Sequence, residues 1–280
     1  MARRPLNDEP ISALAAWSSR LAIFALAVAA ISVIILRSSF LEIEPSLATF
    51  AASLVFAVAA ILLALASFIS IWRNGLRGLS RSLLGLVLGT ALLAYPAYLA
   101  QRAYRYPAIA DISTDANNPP RFISLAAQRP KDRIAYSSVA APLQRAAYPD
   151  IVPLQLTLPL RSSYDVVVGV LNKRKQPFTE SMQPTVNRRE ATIEYTARTP
   201  LMGFRDDVVI RVTAVGSGSR IDMRSASRFG PHDFGNNATR LRALLEEVDE
   251  ASGNAPEPKP EPVVPEKKPP PKRPAQKPKS

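Results

Sequence analysis

The stretch Arg224–Arg242, RSASRFGPHDFGNNATRLR, gathers the side chains of this 280-residue chain best able to do chemistry. Arginine presents a planar fork of N–H donors that matches carboxylate and phosphate. Arg224, Arg228 and Arg240 supply three forks, with Ser225, Ser227, Asp233 and Asn237 between them. Gly235 leads into a helix that Asn236 or Asn237 can cap, and Leu241, Leu244, Leu245 and Val248 form its i, i+3, i+4, i+7 stripe. A helix N-terminus approached through glycine attracts anions, although Asp233 stands at that end and can occupy it. Three readings follow. The cluster recognises an anionic group; or Ser225 or Ser227 works with Asp233 or His232 as a hydrolase; or the cluster only staples the last helix to the rest. No G-x-S-x-G elbow, zinc set, Walker loop or dinucleotide fingerprint is present. The adjacent acids Asp206 and Asp207 point to opposite faces of a strand, which is poor geometry for acid–base work. The site is therefore read as non-catalytic, with no metal and no cofactor, and the hydrolase is the alternative.

These residues need a scaffold. Glu190–Arg198 alternates, with Ala191, Ile193, Tyr195 and Ala197 on one face and Thr192, Glu194, Thr196 and Arg198 on the other. Asp207–Val215 repeats the pattern, and after the turn Gly216–Ser219 so does Arg220–Ala226. The result is an antiparallel meander with one buried face. Symmetric closure of both hairpins places Glu194 opposite Arg211, Arg198 opposite Asp207, Thr213 opposite Asp222 and Arg211 opposite Arg224. That row adds Arg211 to the ligand-binding candidates. Upstream, residues 151–158 read as an edge strand, a helix is predicted from Ser162 to about Lys175, and a short strand over 176–179. Residues 111–122 read as a polar, proline-broken loop. Its Asp and Asn residues suit Asx turns, since the run lacks the Gly and terminal Glu of a calcium loop.

Residues 1–106 are strongly apolar. Leu21–Leu36, Leu47–Trp72 and Ser82–Gln101 carry no charge, and with flanking residues they define spans of about 17–39, 48–72 and 82–101. Arg3, Arg4 and Arg20 before the first span, and Arg73, Arg77 and Arg81 between the second and third, outnumber the basic residues on the other side. The N-terminus is thereby predicted cytoplasmic and everything beyond about residue 102 periplasmic, in a bacterial inner membrane. Tyr95, Tyr98, Tyr104 and Tyr106 read as the outer interfacial belt. GLVLG at 85–89 is a small-xxx-small pattern suited to helix packing. No charge lies deep in a span, which argues for anchoring rather than transport. The net charge of +12 is spread along the chain, and residues 107–252 carry nineteen Lys and Arg against sixteen Asp and Glu. No nucleic-acid partner is implied. Absence of cysteine excludes disulfides and thiolate chemistry. The tail, 253–280, is Pro- and Lys-rich and is predicted disordered and extended.

DISTDANNPPRF, REATIEYTARTPLMGFRDDVVIRV and RSASRFGPHDFGNNATRLR together resemble the bacterial domain-of-unknown-function family 1499, over about residues 108–248. Its pattern runs "DVSTD…NPP", "TxxxGFxDD" and "RSxSRxGxxDxGxNxxRI". The resemblance implies that Arg224, Ser225, Ser227, Arg228, Gly230, Asp233, Gly235, Asn237 and Arg240 are signature positions, as are Gly203, Phe204, Asp206 and Asp207. It implies no activity, and His232 falls where the pattern specifies nothing. The fold class is a membrane-anchored α+β protein: three transmembrane helices (1–106), an extracytoplasmic domain built on a small meander sheet packed with helices (107–252), and a disordered tail (253–280). The partners are the lipid bilayer and an anionic envelope component or envelope protein. The function is a binding or scaffold module of the cell envelope.

Overall fold

A computed structural model of the chain describes residues 10–38, 42–137 and 140–253; the tail expected to be disordered lies almost wholly outside them. Three helices come first: α1 (Ala13–Ser38), α2 (Ile43–Asn74) and α3 (Leu79–Arg105). Each is longer and more apolar than a bilayer crossing needs, and each contains its predicted span. Hydrocarbon provides no hydrophobic force between helices, so close packing of small residues must hold them. The seam obeys this rule. α1 buries Ala15, Ser18, Ala22, Ala25 and Ala29, and α2 buries Ser53, Ala57, Ala60 and Ala64, while Phe24, Ile34, Leu62 and Ile69 face outward. Ser18 Oγ donates to the Ala60 carbonyl at 2.8 Å. A Cβ on Gly85 would collide with Ser18, and one on Gly89 with Ile61, so GLVLG is a packing seam.

The domain beyond Tyr106 contains β1 (Asp111–Ser113), α4 (Ala140–Ala147), β2 (Leu154–Leu156), α5 (Leu160–Lys173), β3 (Thr179–Met182), β4 (Glu190–Arg198), β5 (Arg205–Val215), β6 (Gly218–Ser227) and α6 (Asn236–Gly253). The antiparallel sheet runs β1-β6-β5-β4-β3, and β2 pairs with β6 as well. β1 meets β6 at Arg224–Ala226 and β2 meets it at Ser219–Ile221, so the two short strands lie end to end along one edge. On one face Val167 and Leu171 of α5 and Leu241, Leu244 and Val248 of α6 pack against Ile193, Val208, Ile210, Val212, Ile221 and Met223. This is the apolar face that alternation predicts.

The other face departs from expectation. It is not solvated: the segment between β1 and α4, with its 3-10 turns Ala126–Gln128 and Lys131–Arg133, covers it. Phe122 and Leu125 pack on Val209 and Ala226, and Glu194, Asp207, Asp222 and Arg224 are all buried. The meander therefore has two buried faces, one apolar and one ionic. The registers also differ from symmetric closure by two residues. Arg211 lies opposite Asp222 and Thr192, Arg224 opposite Val209, Thr213 opposite Arg220, and Arg198 opposite Arg205. The physical reason is the turn. Val215 pairs with Gly218, leaving only Gly216 and Ser217 in the bend, with Gly216 at φ 58°. A shift of two preserves every facing and turns a like-charge pair into an Arg–Asp pair.

Smaller differences follow from local chemistry. α5 begins at Leu160 after Pro159 rather than at Ser162, because Pro159 pre-sets the backbone entering the helix. The strand expected at 176–179 forms at Thr179–Met182. In the 111–122 loop Asp115 Oδ1 accepts the N–H groups of Asn117 (3.0 Å) and Asn118 (2.9 Å), the Asx geometry anticipated.

A pair of substitutions tests the turn. Gly216 has open space around a Cβ, whereas one on Gly218 would collide with the Leu156 carbonyl oxygen. Gly216→Ala is predicted to cost roughly 1–2 kcal/mol for its positive φ. Gly218→Ala is predicted to cost about 3 kcal/mol, since backbone must move and the β2 edge is disturbed. Denaturant unfolding of the two variants checks the order, and equal costs would contradict the register.

Candidate functional site

The ionic face is built from β4, β5 and β6, whose alternation aims Glu194, Thr196, Asp207, Arg211, Asp222, Arg224 and Arg228 toward the covering segment. Asp207 is its centre. The carboxylate is fully buried and accepts from Arg129 Nη1 at 2.7 Å, from Arg228 Nε and Nη2 at 2.8 Å each, and from Thr196 Oγ1 at 2.7 Å. Arg129 also donates to the Arg133 and Ala226 carbonyls. Burial pulls its guanidinium below the usual arginine range, and Asp207 pulls it back. Arg224 is a second fork, gripping Asp111 through Nε (2.9 Å) and Nη2 (2.7 Å) while it stacks on Phe122. Arg211 and Arg220 share Asp222, and Arg220 also reaches Asp115. Glu194 has no arginine. Its carboxylate accepts the backbone N–H groups of Ile123 (2.6 Å), Ser124 (3.3 Å) and Leu125 (2.8 Å), so it clasps the covering segment directly.

The remaining candidates lie elsewhere. Ser225 Oγ donates to Asn237 Oδ1 at 2.7 Å, and Arg240 donates to Ser225 Oγ, to Asn237 Oδ1 and to Asp206 Oδ2. Asn237 Nδ2 donates to Ser227 Oγ and to the Ala110 carbonyl. Asp233, not Asn236 or Asn237, caps α6: its oxygens accept the N–H groups of Gly235 (2.8 Å) and Asn237 (2.7 Å). Asn237 instead sits buried inside the first turn, because its amide is needed as a cross-link. Burial raises the Asp233 carboxyl above its ordinary value, while these two N–H groups pull it down.

The candidate residues thus fall into two sets. Arg211, Arg224 and Arg228 belong to the ionic face, while Ser225, Ser227, Asp233, Asn237 and Arg240 gather at the start of α6. His232 joins neither set. Its Nδ1 accepts the Phe234 N–H at 2.8 Å, and its Nε2 faces the Tyr106 carbonyl at 3.1 Å and that of Ala103 at 3.4 Å, so it pins the domain to the end of α3. Among the described residues neither serine meets a histidine. Asp206 and Asp207 do point to opposite faces, one to Arg240 and the other to Arg129 and Arg228. Sequence reasoning missed Arg129, Asp111 and Phe122. Their only signal was an unpaired charge or aromatic in a segment without periodicity.

Residues 111–248 match the family described as "Protein of unknown function (DUF1499)". The chain carries a DUF1499 domain. The three stretches that carry the resemblance are one another's partners: Arg224 holds Asp111, Arg228 holds Asp207, and Arg240 holds Asp206. A comparison with curated proteins found no match. Among solved structures, the domain is similar to TTHA0849 from Thermus thermophilus, at 10% identity, covering 37% of this chain and 95% of that one with a TM-score of 0.21. A likeness so loose carries no argument about function.

Removing one member of a buried ionic group leaves its partners charged and unpaired. Asp207→Ala is predicted to cost about 3–5 kcal/mol of domain stability. Asp150→Ala, which removes the half-exposed partner of Arg242, is predicted to cost at most about 1 kcal/mol. Thermal unfolding measures both, and near-equal effects would contradict a structural role for the Asp207 cluster.

Proposed function

We propose that this chain is a multi-pass protein of a bacterial inner membrane, with a cytoplasmic N-terminus, whose periplasmic DUF1499 domain is a non-catalytic binding or scaffold module of the cell envelope. The observation that carries the reading is the internal commitment of the signature side chains. Arg224 and Arg228 each grip a carboxylate through two donors, and Arg211 and Arg240 are each paired with an aspartate. Such forks hold a domain together and leave little with which to capture a free phosphate or carboxylate, so recognition of an anionic envelope component by these arginines is not the reading favoured. The hydrolase alternative lacks a general base: both nitrogens of His232 are engaged with backbone, and both oxygens of Asp233 cap α6.

The distribution of arginines supports the orientation. Arg77 exchanges backbone hydrogen bonds with Pro10 and Ser12, so the N-terminus and the α2–α3 connection share one end. The domain sits at the other, where Arg37 at the end of α1 donates to the Pro200 (2.5 Å) and Leu201 (3.1 Å) carbonyls.

Two measurements test this reading. Because the chain has no cysteine, single cysteines report topology: Ser252→Cys is predicted to react with a membrane-impermeant maleimide from the periplasmic side, and Asn74→Cys only after permeabilisation. A fluorophosphonate probe, which marks activated serines, is predicted to leave the purified protein unmodified. Reversed labelling would overturn the orientation, and an adduct on Ser225 or Ser227 would overturn the non-catalytic assignment.

A further inference from the structure

The domain does not sit flush on its anchor. Between α2, α3 and the underside of the domain lies a cavity of about 370 Å³. That volume falls in the range of small-molecule sites, roughly 300–1,000 Å³. One wall is Phe50 and Leu54 of α2 with Pro96 and Leu99 of α3, and Phe204 and Phe229 form the roof. The wall residues occupy the ends of the spanning helices that adjoin the domain, so the opening lies at the height of the membrane and its walls continue the lipid-facing surface. A ligand enters from hydrocarbon more readily than from water.

The far end is polar and has a particular character. It is lined by Asp206, Ser227 and Asp233. Asp206 is buried and its Oδ2 is held by Arg240 at 2.7 Å, yet its Oδ1 has no hydrogen-bond partner among the described residues. An unfilled acceptor at the end of an apolar cavity calls for a donor. The charge of Asp206 is already balanced by Arg240, so what is missing is a hydrogen bond and not a counter-charge. The same carboxylates oppose a phosphate or carboxylate head, and Arg240 is fully engaged with Asp206, Ser225 and Asn237.

We propose that this cavity binds an uncharged lipid alcohol, with its hydroxyl donating to Asp206 Oδ1 near Ser227 and its hydrocarbon lying along α2 and α3. The inference deepens the module reading above by naming its ligand class. No covalent step is involved.

The test uses the full-length protein in nanodiscs and a diazirine-bearing hexadecanol. Photolysis is predicted to place adducts on peptides spanning 47–54, 95–99 and 229–234. Unlabelled hexadecanol is predicted to compete at least ten-fold better than palmitate, hexadecyl phosphate or hexadecylamine. Leu99→Trp and Leu54→Trp fill the cavity from the helix side without touching the ion pairs; each is predicted to lose most of the labelling at an unchanged melting temperature. Labelling scattered over the outward faces of the helices, labelling that survives both tryptophans, or equal competition by the charged lipids would overturn the proposal. So would a preference for the amine, which would mean that the site seeks a cation. Absence of adducts overturns the ligand and leaves the module standing, whereas chemical turnover of the probe, seen as a changed mass in the released lipid, overturns the module reading itself.

Discussion

One carboxylate organises the DUF1499 domain. Asp207 lies at the middle of the sheet's second face, wholly out of water, and takes hydrogen bonds from two arginines that come from opposite directions in the chain. Arg129 arrives from the covering segment and Arg228 from the end of β6. A charge so placed is unstable unless partners surround it, and partners so placed are unstable without it. The segment between β1 and α4 has no regular structure long enough to hold itself. It stays on the sheet because Arg129, the Glu194 clasp on residues 123–125 and the grip of Arg224 on Asp111 fix it at three points. Such a face gains geometric specificity from bidentate pairing, since forks accept only one orientation.

The same logic of complementary partners, in other chemistry, governs the anchor. Helix α1 presents alanines and serines inward because bulky residues gain nothing from helix contact in hydrocarbon and would only hold the backbones apart. Its last arginine, Arg37, leaves the seam and binds the hairpin before β5, where Gly203 at φ 72° admits it closely. His232 and Tyr106 make the second attachment at the end of α3, and Gly235 lets Tyr106 approach. Between these two attachments the junction stays open, and that is where the cavity lies. The domain is held to its anchor by two polar contacts rather than sealed to it by an apolar one.

Much of this was legible in the residues. Alternation in 190–226 fixes which side chains share a face, because period two admits no other arrangement, and the 3.6-residue stripe Leu241–Val248 marks α6. The small-residue pattern at Gly85 and Gly89 announces a seam. What alternation cannot state is register. Gly216 and Gly218 both suit a bend, and only the pairing of Val215 with Gly218 decides between a tight turn and a wider one. The difference moved Arg211 from opposite Arg224 to opposite Asp222. The second buried face was hidden for a related reason. Arg129, Asp111 and Phe122 belong to stretches without periodicity, and their positions depend on partners about a hundred residues away. The candidate cluster likewise read as one site because its members are neighbours in sequence, whereas the sheet divides them between its faces.

The most direct test of a domain knit by its buried ionic face is native-state amide hydrogen exchange. The informative positions are Ile123, Ser124 and Leu125, whose N–H groups rest on Glu194, with Ile210 in the middle of β5 as reference. If the covering segment is part of one cooperative unit, its three amides open with the same free energy as Ile210, that of global unfolding. Exchange at residues 123–125 by a local opening, well below the free energy at Ile210, would show that the segment is a loose flap and that the ionic face is not what holds the domain together.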